Sequence, residues 1–385
     1  MGLWKKVTGI IKDKNSIVWA NFSGKSSFRN PDLEISIIKA TSHDEYHIDK
    51  RNAQIVFSWI RASPISLRPL VWALSRRMEK TRSWVVAVKG LMLMHGVFYC
   101  KVPAVEKMGR LPFDLSSFTD GHTTSGKTWG FNAFVREYYA FLDQQALVLT
   151  EKDNRKSDER SPMAQQLSKL QKLQYLLDML LQVKPRAENM KLPLILEAMD
   201  CIIIEIYDVY SRICTEITKV LLNIYSVKKP EAATALKVLQ KAMTQGEELS
   251  LFFESCKEFG VMNANEFPTV AQIPKEEVEE LERIVNGASD MTMTTYEDSV
   301  GDYSIEENDE TAAIVEHKEA LKTRRASIRP ARRKEKTGKP ESANRGEKAA
   351  STDERDITAY STGAILVTKE RAFFLSFSPG AYENA

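Results

Sequence analysis

The sequence has little of what would mark a secreted, membrane-spanning or metal-dependent protein. Its four cysteines, Cys100, Cys201, Cys214 and Cys256, are far apart, form no CxxC pair and sit within apolar periodic segments. That is how reduced core thiols of a cytosolic protein are distributed, and it excludes a disulfide framework or a cysteine zinc site. No run approaches the roughly 18 uninterrupted apolar residues of a membrane span. The N-terminus, MGLWKKVTGIIKDK, lacks the continuous apolar core of a signal peptide. Lys6 stands where a myristoylation signal beginning at Gly2 needs Ser or Thr. The formal net charge is only +2, so an electrostatic partner must be met by a local patch and not by a globally basic surface. No fixed-period repeat is visible.

Catalytic constellations are missing as well. HDEYH, residues 43–47, places two histidines four apart, but Asp44 replaces the longer Glu that reaches a metal-bound water, and no third ligand motif follows. SGKSS, residues 23–27, lacks the preceding glycine spacing and strand of a nucleotide-binding loop. Cys100 and Cys256 have no base partner in sequence, and His95 and Trp84 read as packing residues. The chain is therefore expected to be neither an enzyme nor dependent on a cofactor or metal.

What remains is a chain of 385 residues, 43% apolar and 28% charged, long enough for one large or two ordinary domains with real cores. From about residue 30 to about residue 275, apolar positions recur at three- and four-residue intervals, which predicts an all-α fold of helix packed on helix. Leu170, Leu173, Leu177, Leu180 and Leu181 line one helix face, and Pro185 and Pro193 bracket the break that follows. The segment from Leu194 to Tyr225 is apolar on nearly every side, through Ile202, Ile203, Ile204, Ile206, Val209, Ile213, Ile217 and Leu221. It should be a central helix covered by its neighbours. Residues 151–161 form the most polar loop inside this region.

The rest divides by composition. Residues 1–30 carry a basic amphipathic segment with Leu3, Trp4, Val7, Ile10 and Ile11 on one face and Lys5, Lys6, Lys12 and Lys14 around it. Packing onto the domain and contact with a membrane are both open to that face. Residues 276–385 begin with a short acidic helix to about Val285. An acidic block from Glu297 to Glu310 follows, then a basic block from Lys322 to Lys336. Such charged segments cannot offset their ordering entropy and are expected to be disordered. Ser327, behind Arg324, Arg325 and Ala326, is a candidate phosphorylation site whose added charge would weaken the basic block's attraction to an anionic surface. The apolar stretch Ile357–Ala385 has no assigned role. The basic block lacks stacking aromatics, so no nucleic-acid partner is expected.

Three stretches carry a resemblance. DLEISIIKATSH (32–43) has an apolar run followed by Lys39, Ala40, Thr41 and His43; KTRSWVVAVKGLMLMHG (80–96) brings Lys80, Thr81, Trp84, Lys89 and His95; WGFNAFVREYYAFLD spans 129–143. With GEELSLFFESCKEFGVMNANEFPTV (246–270), they resemble the ANTH (assembly-protein N-terminal homology) domain of clathrin-assembly proteins, particularly its plant branch. The resemblance implies that residues 31–275 form a right-handed superhelical α-solenoid stack of antiparallel helices followed by the tail. It further implies a peripheral protein of coated pits and vesicles, including those of the Golgi. Its expected partners are membranes containing phosphatidylinositol 4,5-bisphosphate, clathrin and coat adaptors, and SNARE proteins.

The family's headgroup motif places a lysine on the first helix and a cluster of the form K-x-(R/K)-H ten residues on, which falls here on Lys39 and on Asp49, Lys50, Arg51 and Asn52. The motif's first lysine is Asp49 and its histidine is Asn52, so Lys39 and Arg51 stand in register with Lys50 beside them. A compact polyanion needs several converging cationic donors. Lys39, Lys50 and Arg51, helped by Lys5, Lys6 and Lys12, are the candidates. Lys39, Lys50, Arg51 and two of the N-terminal lysines at about 1 kcal/mol each give about 5 kcal/mol, a millimolar to sub-millimolar affinity that coat clustering would multiply. Asp49 repels phosphate, so binding weaker than the motif's is expected. The same departures favour an alternative, a helical module that binds a SNARE helix with weak or lost lipid affinity. Short clathrin-binding peptides are absent from residues 286–385.

Overall fold

A computed structural model describes residues 3–22, 24, 28–121, 125–151, 161–223 and 229–265, with isolated positions at 278, 279, 282, 285 and 286. The calls on the polar loop after Glu151, on SGKSS apart from Gly24, on the charged tail, on Ser327 and on the apolar C-terminal stretch lie outside these residues.

Ten helices follow one another among the described residues: α1 Leu3–Phe22, α2 Pro31–Ala40, α3 Lys50–Ala62, α4 Leu67–Lys80, α5 Trp84–Tyr99, α6 Pro103–Glu106, α7 Ser125–Glu151, α8 Pro162–Gln182, α9 Pro193–Leu222 and α10 Lys229–Phe259. The fold is all-α, as the periodicity requires. Helix starts are written locally. Asn30 caps α2, its side chain accepting from the amides of Asp32 and Leu33, with Pro31 next and Asp32 and Glu34 in the first turn. Ser161 caps α8 by accepting from the Ala164 amide at 3.1 Å, again with proline following. Pro193 opens α9.

Packing runs through neighbouring pairs, α1 on α2, α2 on α3 and α4, α7 on α8, and α8 on both α9 and α10, while α5 touches α2, α3, α4, α6, α7 and α9. α5 is buried from Trp84 to Phe98, so it has no solvent face for a polar stripe. Its approach to α3 depends on Gly96, where a Cβ would lie 2.2 Å from Cζ of Phe57. α9 is likewise the covered helix expected from its sequence, with Leu194, Cys201, Ile203, Ile206 and Val209 all buried. The leucines of α8 at 170, 173, 177, 180 and 181 face the same core. Beyond α10, Val278 is buried and Val285 packs against the core.

A polar cluster joins α5, α7 and α9 in the core. Glu205 of α9 accepts from Tyr99 at 2.6 Å and from Gln145 Nε2 at 2.7 Å, and lies 3.3 Å from His95 Nε2. His95 Nδ1 is 2.8 Å from the Tyr138 hydroxyl. A single tautomer serves all of these: Nε2–H donates to Glu205 and Nδ1 accepts from Tyr138. Burial pushes the Glu205 carboxyl upward, but His95, Tyr99 and the Arg212 charge outweigh it and hold the group below the usual carboxylate range.

Candidate functional site

α1 meets the domain along Gly9, Asp13 and Ala20. A Cβ on Gly9 would lie 2.6 Å from Cβ of His43, and Asp13 accepts from the His43 amide at 2.9 Å and from Arg77 at 2.8 Å. At 100° per residue these positions share one face. Val7, Ile11 and Val18 fall on the opposite face and Ile10 on its flank, all exposed, Ile10 to 53%; Trp19 reaches 75% and Phe22 84%. For the described side chains geometry decides the question left open by the sequence: Gly9, Asp13 and Ala20 dock, and Val7, Ile10, Ile11 and Val18 are exposed. Lys12 and Lys14 are exposed on this helix. Lys5 and Lys6 lie on α1, but their side chains are outside the described residues.

The other candidates separate. Lys39, in the last turn of α2, and Arg51, in the first turn of α3, are exposed and have no acidic partner among the described residues. Lys50 turns inward, 13% exposed, with its Nζ 3.7 Å from Glu197 of α9. Burial lowers the Lys50 pKa against the attraction of Glu197, and raises that of Glu197 against the Ile48 amide, Lys50 and His47. Both shifts say that desolvation exceeds the pair's attraction, so Lys50 acts as an anchor of the loop more than as an outward donor.

The two departures from the headgroup motif are bonded to each other. Asp49 caps α3, its carboxylate accepting from the Asn52 amide at 3.0 Å and from the Asn52 side-chain amide at 2.6 Å. A helix N-terminus is a ready anion site, and here the protein's own carboxylate occupies it. The loop 41–49 is fixed from both ends: His43 to Asp13, the Ile48 amide to Glu197 at 3.1 Å, and His47 within 3.5 Å of Glu197. The HDEYH histidines therefore face different carboxylates from a non-helical loop, and no trio of metal-ligating side chains exists among the described residues.

Lys89 lies beneath this loop, fully buried, with Ser42 Oγ at 3.3 Å. Burial lowers its pKa to about 8, partly offset by Asp44, Glu197, Asp13 and Asp49. Between about pH 8 and the ordinary lysine value of 10.5 the unfolded chain binds the proton that the folded chain has lost, so this group adds stability as pH rises. Lys89→Met should be more stable than wild type at pH 7 by up to about 3 kcal/mol, with the difference closing toward pH 10. Urea titrations at several pH values check this; a difference that does not change with pH would exclude a depressed lysine.

Sequence reasoning missed the convergence of Lys12, Arg29, Arg76, Arg77, Lys80 and Arg82 on one cleft between α1, α2 and α4. The available signal was the basic run 76–82, RRMEKTR.

Among known proteins, the ANTH domain model matches residues 32–287. Three Arabidopsis thaliana proteins bearing the name "Putative clathrin assembly protein" are similar to the chain. At1g25240 is 52% identical over 293 residues, covering 75% of this chain and 78% of the relative. At1g68110 is 51% identical over 296 residues, covering 74% and 77%. At1g14686 is 43% identical over 290 residues, covering 75% and 83%. Among the described residues no helix is long and apolar enough to cross a membrane.

Proposed function

The chain belongs to the ANTH-domain family, and on that premise we propose that it is a membrane-surface adaptor of clathrin-coat assembly that binds phosphoinositide headgroups. The observation that carries the membrane half of this reading is the outward apolar face of α1 flanked by lysines. Such a helix can lie in the headgroup layer while exposed cations, Lys39 and Arg51 among them, meet anionic lipid. The coat half rests on the relatives, each named a clathrin assembly protein. Residence on a membrane comes from many weak contacts clustered in a growing coat, because one domain offers few exposed cations at the motif. Coated pits and vesicles are the proposed place of action.

Co-sedimentation of the full chain with vesicles, with and without phosphatidylinositol 4,5-bisphosphate, tests the reading. Wild type should bind in a lipid-dependent way, and Lys39→Glu combined with Arg51→Glu should bind on the order of tenfold more weakly. Absence of lipid-dependent binding at low salt would replace the reading with the SNARE-helix module, which the carboxylate of Asp49 at the anion position of α3 favours.

A further inference from the structure

Two faces of the folded domain are opposite in charge and lie on different helices. The first is the cleft between α1, α2 and α4, about 820 Å³ in volume and lined by Lys12, Arg29, Arg76, Arg77, Lys80 and Arg82 against one carboxylate, Glu34. Glu34 is already engaged by Arg29 Nη2 at 2.9 Å, and Arg77 by Asp13 at 2.8 Å. Arg76 and Lys80 are exposed and have no acidic partner among the described residues. Trp19 also lines the cleft, while 75% exposed. The second face is the outer side of the C-terminal half of α10. Glu247, Leu251, Glu254 and Glu258 stand at i, i+4, i+7 and i+11, which puts them in one stripe, and all are exposed, Leu251 to 67%. Glu248 flanks the stripe on one side and Lys257 on the other, both exposed. None of these four carboxylates has a cationic partner among the described residues. A row of carboxylates by itself is only a solvated face. Leu251 in its midst, and Trp19 among the cations, give the two faces an apolar contact to share as well as a match of charge.

We infer that these faces bind each other between copies of the chain, the α10 stripe of one copy seating in the cationic cleft of the next. A copy does not fill its own cleft this way. α10 is fixed by its packing on α8, α9 and the turn Met262–Asn265, and no residue of those elements lines the cleft. In the contact the carboxylates of the stripe replace water around Arg76 and Lys80, and Leu251 covers the ring of Trp19. Because the two faces differ, the contact is heterologous: each copy keeps one free cleft and one free stripe. Association therefore runs head to tail into an open chain or a ring and does not stop at a two-fold dimer. In a growing coat it would set adaptor domains side by side and supply the clustering on which weak membrane contacts depend. That role rests on the proposed function, whereas the contact itself does not.

Sedimentation velocity of the full chain in solution, with no vesicles present, tests the contact. Wild type is compared with Arg76→Glu/Lys80→Glu in the cleft, with Glu254→Lys/Glu258→Lys on the stripe, and with the four changes together, each checked for unchanged helicity. Wild type should self-associate at low salt and dissociate at about 0.5 M salt, where exposed charges are screened. Each two-residue variant should associate on the order of tenfold more weakly, because like charges then face each other. Mixing those two variants should restore association, and the fourfold variant should associate again by itself, which a general loss of folding cannot imitate. A wild type that stays monomeric at low salt at about 0.1 mM would overturn the contact. So would association that survives both two-residue variants, or variants that mixing does not rescue. The membrane reading fails separately, by vesicle co-sedimentation, and self-association measured without lipid is untouched by that outcome.

Discussion

Glu205→Ala should lower the unfolding free energy by about 3–5 kcal/mol, the cost of removing one partner from a buried charged cluster. The carboxylate is the common acceptor for Tyr99, Gln145 and His95, donors that reach it from α5 and α7. Truncation removes the acceptor that these polar groups share and opens a cavity beside them. Glu205→Gln keeps an acceptor and the volume, and should cost less, about 1–2 kcal/mol. The pH dependence has a definite sign. The folded carboxyl titrates below the ordinary value of 4.5, so its contribution is present above that pH and is lost as pH falls through the folded pKa. Urea unfolding at pH 7 and at pH 4 reads both effects. A loss below about 1 kcal/mol for the alanine variant would mean that water replaces the carboxylate and that the cluster does not hold α5, α7 and α9 together.

Asp49→Asn should tighten binding to phosphoinositide vesicles about fivefold, and Asp49→Lys about thirtyfold, because they change the charge at this point by one and two units at about 1 kcal/mol each. The two variants separate charge from folding. Asparagine still accepts from the Asn52 amide and keeps α3 capped, whereas lysine cannot accept and should cost about 1 kcal/mol of stability. The gain should shrink with added salt, since Asp49 is only half-buried. Equal vesicle affinity for wild type and both variants would place this end of α3 away from the membrane.

Each element that the sequence makes legible depends on residues close together along the chain. The leucine face of α8, the all-round apolar α9, the Asn-Pro start of α2 and the Ser-Pro start of α8 are one-turn patterns, and the structure keeps them. The amphipathic N-terminal segment is readable in the same way, but not its orientation. Two faces of α1 compete for the domain, and the one with Gly9, Asp13 and Ala20 docks because glycine permits close approach and Asp13 finds Arg77 and His43.

The headgroup candidates show the limit from the other side. Lys39, Lys50 and Arg51 look alike in sequence, yet Lys50 is drawn to Glu197, almost 150 positions away, and leaves the surface. Asp49 reads as a lost lysine until α3 is in place and makes it a cap. The basic run 76–82 lines a cleft only because α1 and the segment entering α2 bring Lys12 and Arg29 to it. The sequence by itself therefore determined the helices, their covered faces and the family, because periodicity, caps and motifs act within a turn or along one segment. Which cations face solvent together, which carboxylate occupies the anion position and which face of α1 is left outward were decided only by tertiary packing, since burial and charge pairing depend on residues that the chain keeps far apart.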